Sequence, residues 1–417
     1  MKLKNGDNRV VVTGYGAVTP LGVTAGESWQ AIMDYRLGYR YVDYTARNIK
    51  THFLGLVDNE PSLIGVPAAV RRRLPRFARL TFGAARQAMA MAFGGQPPQE
   101  FYSPLDCGAI MGTGWGGLDE SYDAQSDFSA TGFASPFNCF YSMPSVTTAA
   151  CSQFWGLNGF QNTVLAACAT GTIAIGEAYE VIRTGRAQMM LAGAGESLTS
   201  PCAIWNIDVL GALSKETQDP QRASCPFSAH RNGFVLSEGA AVLCLESREG
   251  ALARGATILG EITGYANFSD AWDFTSPAED CLARVQTIIS ALRQAGLEPE
   301  HLDYINAHGT STPLNDINET QSLKMALGEA VWTIPISSTK SYSGHLISAA
   351  GAFESIVCLQ AIANGIIPAT TNFQHADECC DLDYVVEGHR HATIRRTLNL
   401  SFGFGGANAA LILEKHS

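Results

Sequence analysis

The chain has 417 residues, a net charge of −11, 16% charged side chains and 41 glycines. That length exceeds a usual single core and predicts two domains or one duplicated core, heavily buried and of α/β type. The acidic balance argues against general nucleic-acid affinity, and no apolar run approaches the roughly 20 residues that span a bilayer, so no membrane partner is expected. The first seven residues, Met1 to Asp7, lack the apolar centre of a signal peptide, which predicts a cytoplasmic protein. The eleven cysteines are scattered and are read as reduced thiols. There is no Cys-x-x-Cys pair, and Gly112-x-Gly114-x-Gly116-Gly117 lacks the dinucleotide spacing. No metal and no organic cofactor are therefore expected.

In chain order, strands are predicted at 9–13, 108–112, 162–167, 189–193 and 240–246. A second series follows at 258–265, 304–307, 334–337, 398–402 and 409–413. Helices are predicted at 26–33, 80–93, 171–183, 278–296, 316–327 and 350–365. Strand alternating with helix implies parallel sheets covered by helices. A basic stretch, Arg71, Arg72, Arg73, Arg76 and Arg79, stands out in the acidic chain. Charge runs are most often solvated helix faces, but this one also offers a docking patch for an acidic partner.

Cys168 draws the closest reading. The run 163–167 reads as a buried strand, and Ala169-Thr170-Gly171-Thr172 opens the next helix. A thiol at such a turn faces the positive end of the helix dipole, which predicts a thiolate suited to holding an acyl group. A lone cysteine more often just packs. Two further segments change the balance. Asn306-Ala307-His308-Gly309-Thr310-Ser311-Thr312-Pro313 and Ser338-Thr339-Lys340-Ser341-Tyr342-Ser343-Gly344-His345 each place a histidine in a glycine-containing loop after a strand, where α/β active sites gather. The tail adds Ser401-Phe402-Gly403-Phe404-Gly405-Gly406, a flexible loop with two large aromatics.

In this order and at these separations, the segments resemble the β-ketoacyl-acyl-carrier-protein synthases, and in particular the elongating type. The resemblance runs from Arg9-Val10-Val11-Val12-Thr13-Gly14 to Leu411-Ile412-Leu413. It implies an α/β thiolase fold, with two duplicated halves forming a five-layered α-β-α-β-α sandwich. The halves would be 1–255, carrying the nucleophile, and 256–417, carrying both histidines, in one cooperative unit. It further implies acyl transfer to Cys168, with His308 and His345 stabilising the enolate formed by decarboxylation of a malonyl-carrier. Lys340 and Glu354 would support the site, and the backbone N–H groups of Cys168 and Phe404 would form the oxyanion hole. Phe404, with Phe402 in the same loop, would gate access, and Trp115 and Phe234 would line the acyl pocket. Arg72 and Arg73 fall nearest the family's site for docking acyl carrier protein. Dimerisation through 135–159 is implied, as a homodimer or with a chain-length-factor-like subunit.

Several alternatives share the fold. A degradative thiolase needs a second cysteine where this chain has Gly403-Phe404-Gly405-Gly406, and the initiating synthases have asparagine in place of His345. A chain-length factor lacks the nucleophile, and a decarboxylase of this fold usually carries serine at 168. Trp115 replaces a smaller aliphatic residue and predicts a shortened or reshaped tunnel. With Arg231-Asn232-Gly233-Phe234 and Asn315-Asp316-Ile317-Asn318-Glu319-Thr320, it makes the chain look more like the catalytic subunits of type II polyketide synthases than fatty-acid elongation enzymes. Ser228 and Gly211 depart from aspartate and arginine in relatives, which bears on carrier docking.

Overall fold

The computed structural model describes residues 8–416, so the reading of Met1 to Asp7 as lacking a signal-peptide core lies outside the described residues. Ten strands form one sheet: β1 (Val10–Val18), β2 (Cys107–Gly112), β3 (Gln161–Val164), β4 (Met189–Glu196), β5 (Gly239–Ser247), β6 (Gly260–Ser269), β7 (Tyr304–Asn306), β8 (Ile336–Ser337), β9 (Arg396–Gly403) and β10 (Ala407–Glu414). Their spatial order is β8-β7-β9-β10-β6-β1-β5-β4-β2-β3. Read inward from each edge, both sets of five follow one rule: third, second, fourth, fifth and first in chain order. The pairing sense repeats as well. β2 is parallel to β3 and β4, as β7 is to β8 and β9. The remaining pairs, β4–β5, β5–β1, β9–β10 and β10–β6, are antiparallel.

The sheet is therefore mixed, correcting the expectation of parallel strands. The physical reason is plainest at β9 and β10. Only three residues separate them, enough for a hairpin and far too few for a parallel crossover. The two halves are joined by a short antiparallel ladder, Val10–Val12 against Gly260–Ile262.

Five helices position the site: α1 (Arg76–Phe93), α2 (Thr170–Arg183), α3 (Leu282–Ala295), α4 (Pro313–Leu327) and α5 (Ala350–Asn364). Helices α2 and α5 pack on each other and on strands of both halves, forming the central layer. α1 covers β1 and β5, while α3 covers β6 and β10. This layering is the thiolase fold, with the two half-sheets on either side of the central helices. Burial all round explains the composition of α5, whose residues from Ala350 to Ile362 are all inaccessible. Among the described residues, Ile347–Asn364 is the one helical stretch long and apolar enough to cross a membrane, and 89% of it lies inside the fold.

The longest helices among the described residues with no counterpart in the expected elements are Leu118–Thr131, Val146–Trp155 and Pro201–Asp208. The first is rich in serine and aspartate and carries a weak apolar stripe, so periodicity did not reveal it. The run 163–167 also differs from expectation. The strand ends at Val164, and β3 is the exposed edge of the sheet, with Leu165 53% accessible. Its apolar character therefore belongs to a surface rather than to the core.

Candidate active site

Cys168 sits in a single 3-10 turn, Ala167–Ala169, between β3 and α2. The turn is tight enough to force Ala167 to φ 45°, a left-handed conformation that costs a non-glycine residue on the order of 1 kcal/mol or more. The two histidines arrive from the other half. His308 lies two residues beyond β7, and His345 lies between the short helix Lys340–Ser343 and α5. One donor atom from each of Cys168, His308 and His345 lies within 4.8 Å of the others, and all three side chains are buried. The imidazole centroids are 5.4 Å apart and their planes are nearly perpendicular, at 82°. Phe402 packs edge-on against His308 at 5.7 Å, and Phe234 against His345 at 5.1 Å.

Local hydrogen bonds fix the histidines. Both oxygens of the buried Glu319 accept backbone N–H groups, from His308 at 2.7 Å and Gly309 at 2.8 Å. Nδ1 of His345 accepts the N–H of Ile347 at 3.2 Å. Its proton must then sit on Nε2, which is buried and has no partner among the described residues. A preset N–H donor therefore waits beside the sulfur. Burial, reinforced by the charge of Lys340, holds both imidazoles well below the ordinary histidine range, so they are neutral.

The sulfur behaves differently from expectation. Burial pushes the Cys168 thiol up to about 12. Lys340 and the backbone N–H groups of Phe404 and Cys168 act in the opposite direction but do not overcome desolvation. The predicted thiolate is thus corrected to a resting thiol: loss of water outweighs the helix end. The same two N–H groups meet at the sulfur because the 403–404 backbone comes so close. A Cβ on Gly403 would lie 2.7 Å from the Ala166 carbonyl oxygen and 3.2 Å from the Cys168 nitrogen. Only glycine fits there.

Lys340 and Glu354 form a fully enclosed ion pair. Burial pushes the Glu354 carboxyl up, and the ammonium opposes that shift. A cavity of about 350 Å³ leads to the sulfur, lined by Cys168, His308, His345, Phe234, Phe402 and Phe404 among others. Trp115 does not line it. Instead, Trp115 packs half-buried against the apolar cluster that holds Cys168, Phe234, Leu198 and Ile347. The donor set of one thiol and two imidazoles is also of metal-binding type, and these are the residues that face the cavity.

Arg72 and Arg73 lie at the surface just after the short helix Ala68–Arg71, with the Arg73 guanidinium 4.9 Å from the Phe140 ring centre. The basic stretch is smaller than the sequence implied. Arg76 pairs with Glu238 and Glu60, and Arg79 pairs with Glu60. The helix turns those two arginines inward, leaving Arg71, Arg72 and Arg73.

Three buried charged residues near the site went unread in the sequence. One is Glu319. Another is Glu196, which accepts the N–H of Gly114 at 2.6 Å and is held up at about 7 by burial. The third is Arg284, on the cavity wall. A signal for Arg284 was present: it occupies the apolar stripe of α3, with Val285, Ile288, Ala291 and Leu292.

Fold and cavity together define an acyltransferase of the thiolase fold, built around a buried thiol and two neutral imidazoles. Comparison with known proteins agrees. The Beta-ketoacyl synthase N-terminal domain matches residues 7–251, and the Beta-ketoacyl synthase C-terminal domain matches residues 259–374. The chain is 38% identical to 3-oxoacyl-[acyl-carrier-protein] synthase 2 of Synechocystis sp., covering 98% of both chains. It is 36% identical to a putative polyketide beta-ketoacyl synthase 1 of Streptomyces halstedii, covering 97% of both. Among solved structures, a ketosynthase bound to a hexaketide and in complex with its type II PKS acyl-carrier protein matches with a TM-score of 0.90. That match has 33% identity over 98% of this chain and 100% of the other. The ishigamide ketosynthase/chain length factor matches with a TM-score of 0.87 and 29% identity over 99% of this chain and 100% of the other. The chain belongs to the beta-ketoacyl synthase family, and its activity is that of a ketosynthase.

Proposed function

We propose that the protein is an elongating β-ketoacyl-acyl-carrier-protein synthase of type II polyketide or polyene biosynthesis, acting in the cytoplasm without metal or organic cofactor. The observation that carries the chemistry is the convergence of Cys168, His308 and His345 on one point. In the first half-reaction, the sulfur of Cys168 attacks the acyl thioester. The carrier thiol leaves with the proton, and the growing chain stays on Cys168. The N–H groups of Cys168 and Phe404 hold the negative oxygen of the tetrahedral intermediate. In the second, a malonyl-carrier loses carbon dioxide, and His308 and His345 donate to the resulting enolate oxygen. The enolate carbon attacks the Cys168 thioester, and the sulfur departs and takes up a proton. Neutral imidazoles suit this role because they donate without adding a buried charge. Lys340, neutralised by Glu354, favours the departing thiolate at short range.

The polyketide reading rests on the resemblance of the runs Arg231-Asn232-Gly233-Phe234 and Asn315-Asp316-Ile317-Asn318-Glu319-Thr320, and on Trp115, which packs against the apolar cluster that includes Cys168. Phe234 and Phe402 hold the histidine rings in place, and Phe404 gates the cavity. Residues 1–255 and 256–417 act as one unit, since each contributes only part of the site. Arg72 and Arg73 dock the acidic carrier protein. Association with a second ketosynthase or a chain-length-factor-like subunit is favoured by the unpaired edge of β3 and the exposed Leu165, Phe128, Phe133 and Met143 nearby in sequence.

Intact mass of the protein after exposure to a panel of acyl-carriers tests this directly, with Cys168→Ala as control. A thioester adduct on the wild type alone, extended on adding malonyl-carrier, is the expected result. No adduct even with the neighbouring synthase subunit supplied would remove Cys168 from the role. Efficient extension of long saturated chains by the protein alone would overturn the polyketide assignment in favour of fatty-acid elongation.

A further inference from the structure

Arg284 is a buried guanidinium, 5% accessible, on the wall of the active-site cavity. It sits over Phe402, with its central carbon 4.1 Å from the ring centre, and Phe402 in turn contacts His308. Of its five N–H donors, one has an acceptor: Nη1 donates to Oδ1 of Asn315 at 3.1 Å. Nε is enclosed and has no partner among the described residues. Among the described residues no carboxylate pairs with it, and burial lowers its pKa from the ordinary arginine value, opposed only in part by Glu319, Asp270 and Asp316 nearby. A buried arginine with so few partners is costly unless a ligand completes it. The polar groups on the wall beside it are the neutral Asn315 and Thr310 and the carboxylate of Asp270.

We infer that Arg284 is a specificity-determining residue that receives the free carboxylate of the extender unit. This rests on the malonyl-carrier reading above. An extender whose thioester oxygen is held by His308 and His345 carries its carboxylate only two carbons away, on the side of the cavity where Phe402 and Arg284 stand. Among the described residues no acceptor takes the Nη2 hydrogens or the second Nη1 hydrogen, and these can give a carboxylate two hydrogen bonds. The ion pair is lost as carbon dioxide leaves, so the contact strengthens binding of the extender and does not speed its decarboxylation. The acyl group already on Cys168 has no carboxylate to offer, so Arg284 sorts the extender from the primer.

The wild-type protein supplies a first test that needs no variant. A malonyl-pantetheine analogue with the thioester replaced by an inert amide should bind about tenfold or more tightly than its counterpart bearing a terminal carboxamide, the advantage expected of a charge-assisted contact. Equal binding overturns the inference. In Arg284→Met, KM for malonyl-carrier should rise about tenfold to a hundredfold, with kcat within about threefold, and Arg284→Lys should fall between. Acylation of Cys168 by acyl-carrier should fall far less than use of malonyl-carrier in both, and thermal melting reports that the variants fold. Unchanged KM in an Arg284→Met protein that still accepts acyl groups overturns the assignment. Failure of the wild type itself to acylate Cys168 would instead remove the proposed function. Analogue binding does not depend on acylation, so the two failures remain distinguishable.

Discussion

The two halves of the molecule are built to one plan and do different work, and the turns that open the central helices show where they part. In the first half, the 3-10 turn Ala167–Ala169 leads into α2, with Ala167 at φ 45°. In the second, the 3-10 turn Ile347–Ala349 leads into α5, with Ile347 at φ 49°. Cys168 in one turn corresponds to Ser348 in the other, and Gly171 corresponds to Gly351, each three residues further on. The same strained geometry therefore presents a thiol to the cavity in one half. In the other it presents a hydroxyl that donates to the Gly195 carbonyl at 3.0 Å and is wholly buried. The two turns are equivalent in backbone, and side-chain chemistry together with access to the cavity decides which one, on the proposed function, is placed to react. The second half instead contributes the loops after β7, β8 and β9, which deliver His308, His345 and Phe404.

The sharpest way to break this comparison is to make the first turn like the second. Cys168→Ser should lower condensation on the order of 10³-fold or more, because a hydroxyl is a much poorer nucleophile and leaving group. Stopped assays of ketoacyl product measure it. Conversely, Ser348→Cys in a Cys168→Ala background should give no acyl adduct by mass, since that turn opens onto protein rather than onto the cavity. An adduct at position 348 would mean the halves are more alike than their burial indicates. Next in size, Glu319→Ala leaves the N–H groups of His308 and Gly309 enclosed without an acceptor. A stability loss of about 2–5 kcal/mol is expected in denaturant titration, with decarboxylation falling more than Cys168 acylation.

A pH profile is gentler and tests electrostatics. Burial lowers both imidazoles, so their neutral, donating form persists as pH falls from 8 to 6. Imidazole protonation should cause no loss of decarboxylation in that range, and a loss near 6.5 that persists in Glu196→Gln and Glu319→Gln would place a histidine in an ordinary environment. The smallest effects should come from the crossing of α2 and α5. Gly171→Ala would meet backbone, the Ser348 carbonyl and the Ala352 nitrogen at 2.8 Å each, whereas Gly351→Ala would meet the side chains of Thr172 and Ser401. Side chains can rotate away and backbone cannot. Thermal melts should show the first variant to be the less stable, by about 1–2 kcal/mol.

Much of this was legible in the sequence because the chemistry sits at element ends. Cys168 before a helical run, and His308 and His345 in glycine loops after apolar runs, are local patterns, and their family resemblance supplied the order. The ten strands were also near their observed places, since short apolar runs bounded by glycine mark them well. What escaped was whatever depended on the third dimension. The protonation state of Cys168 was misread because a helix end is a local feature, whereas desolvation is set by residues more than a hundred positions away. The sense of the strands was misread because alternation with helices hid the β9–β10 hairpin. Arg76 and Arg79 look like part of a basic patch until the fold brings Glu60 and Glu238 to them. Glu319 and Arg284 were passed over because a single charged residue in a helix is usually solvated, and only packing shows that these two are not.

The enclosed pair of Lys340 and Glu354, flanked by neutral imidazoles and a neutral thiol, has one more consequence. Beside the sulfur itself, this enclosed pair presents no net charge that the surrounding electrolyte can reach. Added salt should therefore act on the two stages of turnover unequally. It would weaken the encounter of an acidic carrier with Arg72 and Arg73 at the surface while leaving carbon–carbon bond formation nearly untouched. Ionic strength becomes a dial that separates delivery from chemistry in this enzyme.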